Sequence, residues 1–125
     1  MEYLKAPKGA VTGGCIFCDK LRDPPSKDRE NLLLLRGQRT MLLLNLYPYT
    51  NGHLLVAPNQ HSGELESLDG ETLKEMMLVV GRAIRALRRS MGPQGFNVGA
   101  NLGRVAGAGV EDHVHFHVVP RWNGD

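Results

Sequence analysis

The segment 113–119 reads His-Val-His-Phe-His-Val-Val, so three histidines alternate with apolar residues near the C-terminus. Alternate side chains of a β-strand point to opposite faces of the sheet. A strand here predicts that His113, His115 and His117 share one face, while the apolar residues between them enter a core. A row of imidazoles can bind a metal, transfer protons or attack an electrophile. Since each of these uses is chemical, the segment is the first candidate for a functional site.

Two kinds of chemistry compete for this row of histidines. Three crowded imidazoles are costly to protonate together, which predicts that a metal or an anionic ligand binds to their face. Alternating histidines on a strand also have suitable geometry for zinc. A nucleophilic histidine needs further parts: an anion site, an acceptor that orients the ring and a substrate pocket. The residues by themselves leave both alternatives open.

A glycine-containing loop before the histidines is a candidate anion site. Gly103, Gly107 and Gly109 lie in the segment 102–112, and glycines allow backbone N–H groups to converge on phosphate oxygens. The loop is not a P-loop, because neither Gly-Lys-Ser/Thr nor a helix follows it. A flexible connector is the alternative interpretation.

Cys15 and Cys18 form a Cys-x-x-Cys pair, which is half of a tetrahedral zinc site. Two further ligands would have to come from the five histidines at positions 53, 61, 113, 115 and 117. A thioredoxin-type redox pair is a rival interpretation, but that motif lies in a βαβ context that the sequence does not suggest. Unliganded thiols are the third alternative.

Length and composition predict one domain with one core, covering residues 1–125. The net charge of +2 gives no strong indication of a nucleic-acid or membrane partner. The N-terminus has no apolar segment typical of a secretory signal, so the cytosol is the predicted compartment. Because the chain ends directly after the histidine segment, we expect a C-terminal segment to be missing after residue 125.

Short apolar runs bounded by Gly, Pro or Asn are typical of strands. The predicted strands are 32–35, 41–46, 53–57, 95–101 and the histidine segment. An extended conformation is predicted for 1–14, and an exposed loop with at most a short helical turn for 19–31. Strands, one long helix and then strands favour an α+β fold, with an antiparallel sheet of about five strands and the helix on one face.

Residues 70–91 are the clearest predicted helix. Ser67 or Asp69 can cap its start, and Gly92 followed by Pro93 ends it. Its predicted apolar stripe consists of Leu73, Met76, Met77, Val80, Ile84, Leu87 and Met91. Another face carries Arg82, Arg85 and Arg89. That face is predicted to be solvated, and steering of phosphates is the alternative.

The histidine segment resembles the signature of the histidine triad (HIT) family, in which three histidines alternate with apolar residues. Residues 45–61 resemble the family's nucleotide-pocket strand pair, and Asn101-x-Gly103 resembles its segment before the triad. The resemblance covers roughly residues 15–125. The end of the chain and the Cys-x-x-Cys pair are most similar to a bacterial branch that resembles diadenosine tetraphosphate phosphorylases.

The resemblance implies catalytic roles for three histidines. His115, the middle histidine, would attack the α-phosphorus of a nucleotide and form a nucleotidyl-histidine intermediate. His117 would help to place the phosphate oxygens, and His53 would lie near the phosphates or the leaving group. By the same resemblance, the substrate-binding residues are Asn45 for the ribose, and Asn101, Gly107 and Gly109 for the phosphate.

The resemblance also implies a structural zinc held by Cys15, Cys18, His61 and His113. Four protein ligands leave no open coordination position for water. His115 and His117 would then be free for chemistry.

The sequence departs from the family pattern before the triad. Many members carry Gly-Gln-Ser/Thr-Val there, whereas this chain has Gly-Ala-Gly-Val over 107–110. The absence of the glutamine and the hydroxyl argues against a simple hydrolase and resembles the phosphorylase-like branch, in which inorganic phosphate would replace water as the second nucleophile.

Three hypotheses on function follow from the sequence. The first is a hydrolase or nucleotidyltransferase acting on dinucleoside polyphosphates or nucleoside phosphoramidates. The others are a slow nucleotide-binding or signalling module and a zinc-only structural domain. The resemblance further implies a homodimer through the long helix and the strand before the glycine loop.

Overall fold

The computed structural model describes residues 14–45 and 52–125. The prediction for 1–13 and the predicted end of a strand at Leu46 lie outside these residues. The helices are α1 (Ile16–Arg22), α2 (Asp28–Asn31) and α3 (Gly70–Met91), and the strands are β1 (Leu33–Arg36), β2 (Thr40–Leu44), β3 (Leu54–Pro58), β4 (Gly95–Gly99) and β5 (Phe116–Arg121). Short 3₁₀ turns occur at Pro25–Lys27, Leu65–Ser67 and Arg104–Ala106.

The five strands form one antiparallel sheet in the order β1-β2-β3-β5-β4, and α3 packs on one face of it. The predicted α+β fold is therefore confirmed. Within the described residues, no helix is both long and apolar enough to cross a membrane.

The central strand β3 is buried on both faces, so its successive residues face two separate cores, whereas the sequence predicted one core. Leu54 and Val56 pack in the core under α3, whereas Leu55 and Ala57 pack in a second core under α1. This explains why the strand reads as a continuous apolar run rather than an alternating one. The second core is the side on which the candidate site lies.

Helix α3 has the predicted bounds. The Asp69 side chain caps its start by accepting a hydrogen bond from the Thr72 backbone N–H at 2.8 Å, and Gly92 ends it in the left-handed conformation at φ 60°. The predicted apolar stripe was wrong at Met77, which is 47% exposed. Val79 and Ala83 lie on the buried side instead. The predicted arginine face is exposed on this helix, on the opposite side of the sheet from the second core.

The loop predicted over 19–31 is more helical than expected, because α1 and α2 both fall in or overlap that range. Arg36 of β1 explains the order of this segment. Its guanidinium donates to the carbonyl oxygens of Leu21 and Asp23 at 3.0 and 2.7 Å. It also donates to the Asp28 carboxylate at 2.8 to 3.1 Å. One distant side chain thus ties the ends of both helices to the sheet.

The histidine segment keeps the predicted alternation but is a strand only from Phe116 onwards. Val114 and Val118 are buried in the core under α3, and Phe116 packs against it. The ladder with β3 ends at the pair of Val56 and Phe116, and Pro58, two residues further along β3, has no N–H to donate. The backbone N–H of Val114 donates instead to the carbonyl oxygen of Ser62 at 2.7 Å.

Candidate functional site

A pocket of about 160 Å³ opens on the sheet face opposite α3, where β5, α1 and the glycine loop meet. Six of the predicted site residues line it: Asn45, Asn101, Gly107, Gly109, His115 and His117. Four apolar residues complete its wall: Ile16, Phe17, Leu55 and Val110. The sequence reasoning missed these four. The sequence signal that could have indicated two of them is the apolar pair Ile16-Phe17 between the two cysteines.

The His115 side chain is held in one tautomer. Its Nδ1 donates a hydrogen bond to the carbonyl oxygen of His113 at 2.9 Å, so its Nε2 carries the lone pair. Only 8% of His115 is exposed, and this burial lowers the pKa of its imidazole below the usual value. A neutral imidazole with a free Nε2 in a pocket is chemically suited to nucleophilic attack.

His117 and His53 form a hydrogen-bonded pair beside His115. The amide nitrogen of Asn45 donates to Nδ1 of His53 at 3.3 Å, and Nε2 of His53 lies 2.9 Å from Nδ1 of His117. With Nδ1 of His53 accepting, its Nε2 donates to His117, and the Nε2 of His117 then carries a hydrogen. That hydrogen is available to an anionic oxygen. Burial and neighbouring histidines lower the pKa of both rings, that of His117 to about 4, so the pair is neutral near pH 7.

The glycine loop closes over the pocket from the segment before β5. Gly107 has φ 98°, a conformation that side chains disfavour. The Asn101 amide donates to the Gly107 carbonyl oxygen at 3.5 Å, which ties the loop to the end of β4. The geometry places loop backbone within the same pocket as His115 and His117, as an anion site requires.

Cys15, Cys18, His61 and His113 form a compact cluster of potential metal ligands, with all four ligand atoms within 4.8 Å of one another. Nδ1 of His113 lies 3.2 Å from Sγ of Cys15 and 3.3 Å from Nδ1 of His61, and Sγ of Cys18 lies 3.3 Å from Nδ1 of His61. A tetrahedral zinc with ordinary bond lengths would place its ligands about 3.3 Å apart for two nitrogens and about 3.6 Å for nitrogen and sulfur. The spacing of this donor set therefore fits a tetrahedral cation.

A hydrogen bond within the protein orients His113 as a metal ligand would be oriented. Its Nε2 donates to the Pro58 carbonyl oxygen at 2.7 Å, which leaves the lone pair on Nδ1, the atom that faces the cluster. Burial lowers the pKa of His113 to about 4. Burial and the neighbouring Cys15 raise the pKa of the Cys18 thiol to about 11. Because thiolates are the form that binds metals, a cation would supply the charge that keeps this thiol deprotonated.

Phe17 connects the cluster to the pocket. It belongs to α1, between the two cysteines, and is fully buried. Its ring centroid lies 5.0 Å from that of His113 and 4.9 Å from that of His115. One aromatic ring thus packs against both a candidate metal ligand and the histidine suited to attack. The histidine row is thereby divided, with His113 in the cluster and His115 and His117 in the pocket.

The fold and the divided histidine row define the class of protein, an α+β domain with a histidine triad at its pocket. A family model described as HIT domain matches residues 27–124, and the chain belongs to the HIT domain family. The chain is 46% identical over 102 residues to an AP-4-A phosphorylase of Mycobacterium tuberculosis, covering 82% of this chain and 52% of that protein. It therefore spans about half the length of this relative.

Shorter relatives match over most of their length. An adenosine 5'-monophosphoramidase of Schizosaccharomyces pombe is 32% identical over 109 residues, covering 87% of this chain and 75% of that protein. A solved structure of a Zn-bound histidine triad family protein from Mycobacterium smegmatis has a TM-score of 0.72 at 33% identity, covering 89% of this chain and 77% of that chain. A HIT family protein from Bacillus subtilis has a TM-score of 0.74 at 31% identity, covering 88% and 74%.

Proposed function

We propose that this chain is a nucleotidyl transferase or hydrolase that cleaves dinucleoside polyphosphates at an α-phosphorus through His115. The observation that carries the proposal is the tautomer of His115, which presents a bare Nε2 to the pocket beside the glycine loop. The relative named AP-4-A phosphorylase supports this substrate class.

In the proposed first step, Nε2 of His115 attacks the α-phosphorus and forms a P–N bond. The bond from that phosphorus to the bridging oxygen breaks, and the leaving nucleotide keeps the electron pair. The Nε2 hydrogen of His117 would stabilise or protonate the leaving oxygen, and the hydrogen bond from His53 to Nδ1 of His117 supports this role. Asn101 and backbone N–H groups near Gly107 and Gly109 would stabilise the charge on the phosphoryl oxygens.

In the second step, inorganic phosphate or water attacks the phosphorus and breaks the P–N bond, which restores neutral His115. We favour phosphate, because the relative that is 46% identical carries the name phosphorylase and because residues 107–110 lack a glutamine and a hydroxyl. The apolar wall formed by Ile16, Phe17 and Leu55 is suited to a nucleoside base, and Asn45 to the ribose.

We further propose that the cluster of two cysteines and two histidines binds a structural zinc ion. Its four ligands would leave no coordination position for substrate. The Zn-bound relative from Mycobacterium smegmatis supports the identity of the metal. We also propose a cytoplasmic location, because thiols are kept reduced there and both cysteines are free.

Product analysis tests the proposed reaction. We expect diadenosine tetraphosphate to give ATP and ADP only when inorganic phosphate is present, since phosphate then ends on the transferred nucleotidyl group. Chromatography after incubation with and without phosphate measures this. AMP and ATP formed without phosphate would identify a hydrolase instead. Absence of turnover with both dinucleoside polyphosphates and adenosine 5'-phosphoramidate would favour the nucleotide-binding module.

We also propose that the chain forms a homodimer through α3 and β4. Strand β4 is at the edge of the sheet, and Val98 on it is 44% exposed. An unpaired edge strand is a surface that a second copy can extend. Light scattering at high protein concentration should therefore give the mass of two chains, and the mass of one chain would contradict the proposal.

A further inference from the structure

Two segments of the chain meet where the glycine loop joins the histidine segment. One follows β3 and the other is the end of the loop. Nδ1 of His61 in the first segment lies 3.3 Å from Nδ1 of His113 in the second. The backbone N–H of Val114 donates to the carbonyl oxygen of Ser62 at 2.7 Å. The end of the loop is therefore held against the segment that follows β3.

Gly63 lies at this junction, in a contact that is too close for any other residue. A Cβ atom added to Gly63 would overlap with the carbonyl oxygen of Glu111 and would lie 3.3 Å from the Cα atom of Asp112. Both are backbone atoms, so a side chain at position 63 requires one of the two segments to move. Gly63 does not have a positive φ. The contact, and not the backbone conformation, therefore requires glycine here.

Of the two segments, we expect the loop to move. The segment after β3 is held by the short backbone hydrogen bond described above. The hydrogen bonds near the end of the loop are longer, since the Asn101 amide donates to the Gly107 carbonyl oxygen at 3.5 Å and the His113 backbone N–H to that of Val110 at 3.4 Å. Hydrogen bonds of this length are weak. A side chain at position 63 would therefore displace the loop at Glu111.

We propose that Gly63 is a positioning residue, which sets the glycine loop at the place where its backbone binds the phosphate of the substrate. Gly109 and Val110 line the pocket with His115 and directly precede Glu111. Displacement at Glu111 would thus move the backbone N–H groups near Gly109 away from the phosphoryl oxygens. The inference rests on the proposed function, which assigns those groups to the phosphate. Gly63 is not among the described residues that line the pocket, so it acts through the loop.

Gly63→Ala tests this proposal with AMP and adenosine, which share a base and a ribose and differ by the phosphate. We expect the dissociation constant of AMP to rise about tenfold, because small misplacements of binding groups have large effects. The dissociation constant of adenosine should stay within about twofold, since the apolar wall of the pocket is unaltered. Bound zinc should be unchanged, because the variant removes none of the four clustered ligands. Titration calorimetry and metal analysis measure these quantities.

Gly70→Ala is the matched control. Gly70 begins α3, and a Cβ atom added to it would meet no atom of the described residues within 4 Å. We expect this variant to leave both dissociation constants unchanged. In Gly63→Ala, an equal loss of affinity for AMP and adenosine, or no loss for AMP, would overturn the proposal. Loss of zinc from Gly63→Ala would also overturn it, because the metal cluster and not the loop would then explain the effect.

The binding measurement fails or succeeds separately from the proposed reaction. If the unmodified protein binds AMP no more tightly than adenosine, the loop does not hold the phosphate, and the role of Gly63 is refuted whatever products are formed. If the unmodified protein prefers AMP but turns over no dinucleoside polyphosphate, the proposed reaction fails. A selective loss of AMP affinity in Gly63→Ala would then still support the role of Gly63.

Discussion

Replacement of His115 by alanine is expected to reduce turnover of diadenosine tetraphosphate by about 10⁴-fold or more, since removal of a covalent nucleophile has effects of this order. The reason is the loss of Nε2, the atom that the hydrogen bond to the His113 carbonyl oxygen leaves free for attack. The measurement is single-turnover formation of product, followed by chromatography. AMP binding should stay within a few fold, because the pocket wall at Phe17 and Leu55 is retained.

Two controls make this prediction specific. His115→Gln keeps a polar side chain of similar length but has no imidazole, and it should be as inactive as the alanine variant. Metal content should be unchanged in both variants, because His115 is not among the four clustered ligands. Equal activity of either variant and the unmodified protein would exclude a nucleotidyl-histidine intermediate at this residue.

The different positions of the three histidines in the fold could be predicted only in part from the sequence. Alternation predicted which side chains point into the core, and Val114 and Val118 lie there. It could not predict that strand pairing begins only at Phe116, because the partner of Phe116 is Val56 of another strand. Nor could it predict that His113 faces the cluster of potential metal ligands rather than the pocket, because this depends on Cys15, which lies 98 residues earlier in the chain and contacts Nδ1 of His113.

Helix α3 was predictable to the residue because its signals are local. Asp69 caps its start and Gly92 ends it, and both act within one turn of the helix. Helix α1 has no such signals, since no side chain caps it. Its order depends on Arg36 of β1 and on burial of Phe17 in the second core. Contacts of this kind join segments that are distant in sequence, so the periodicity of apolar residues does not predict them.

The apolar residues that line the pocket also could not be predicted from local sequence signals. The sequence did not predict that Ile16 and Phe17 line the pocket, because they are two apolar residues between the cysteines of a Cys-x-x-Cys pair. In the folded chain the cysteine pair and the pocket wall belong to the same helix: Cys15 precedes α1, Cys18 lies in it, and Phe17 between them packs against His115. Metal binding and nucleotide binding should therefore be coupled.

The prediction that follows is that Cys15→Ser loses the metal and weakens nucleotide binding together. Bound zinc should fall from about one ion per chain to a small fraction, since loss of one of four ligands to a structural zinc costs on the order of 10²-fold or more in affinity. Metal analysis by mass spectrometry after dialysis against a weak chelator measures this. The dissociation constant for AMP should rise about tenfold, because the start of α1, which carries Phe17 to His115, is then no longer tied through Cys15 to His113.

His115→Ala is the matched control for this coupling, since it alters the pocket but none of the four clustered ligands. It should keep its zinc and most of its affinity for AMP. Zinc lost with His115 and retained in Cys15→Ser would mean that the histidine triad itself is the metal site, which contradicts the division described above. If Cys15→Ser loses zinc but its affinity for AMP is unchanged, the metal site would be supported and its coupling to the pocket through Phe17 would be contradicted.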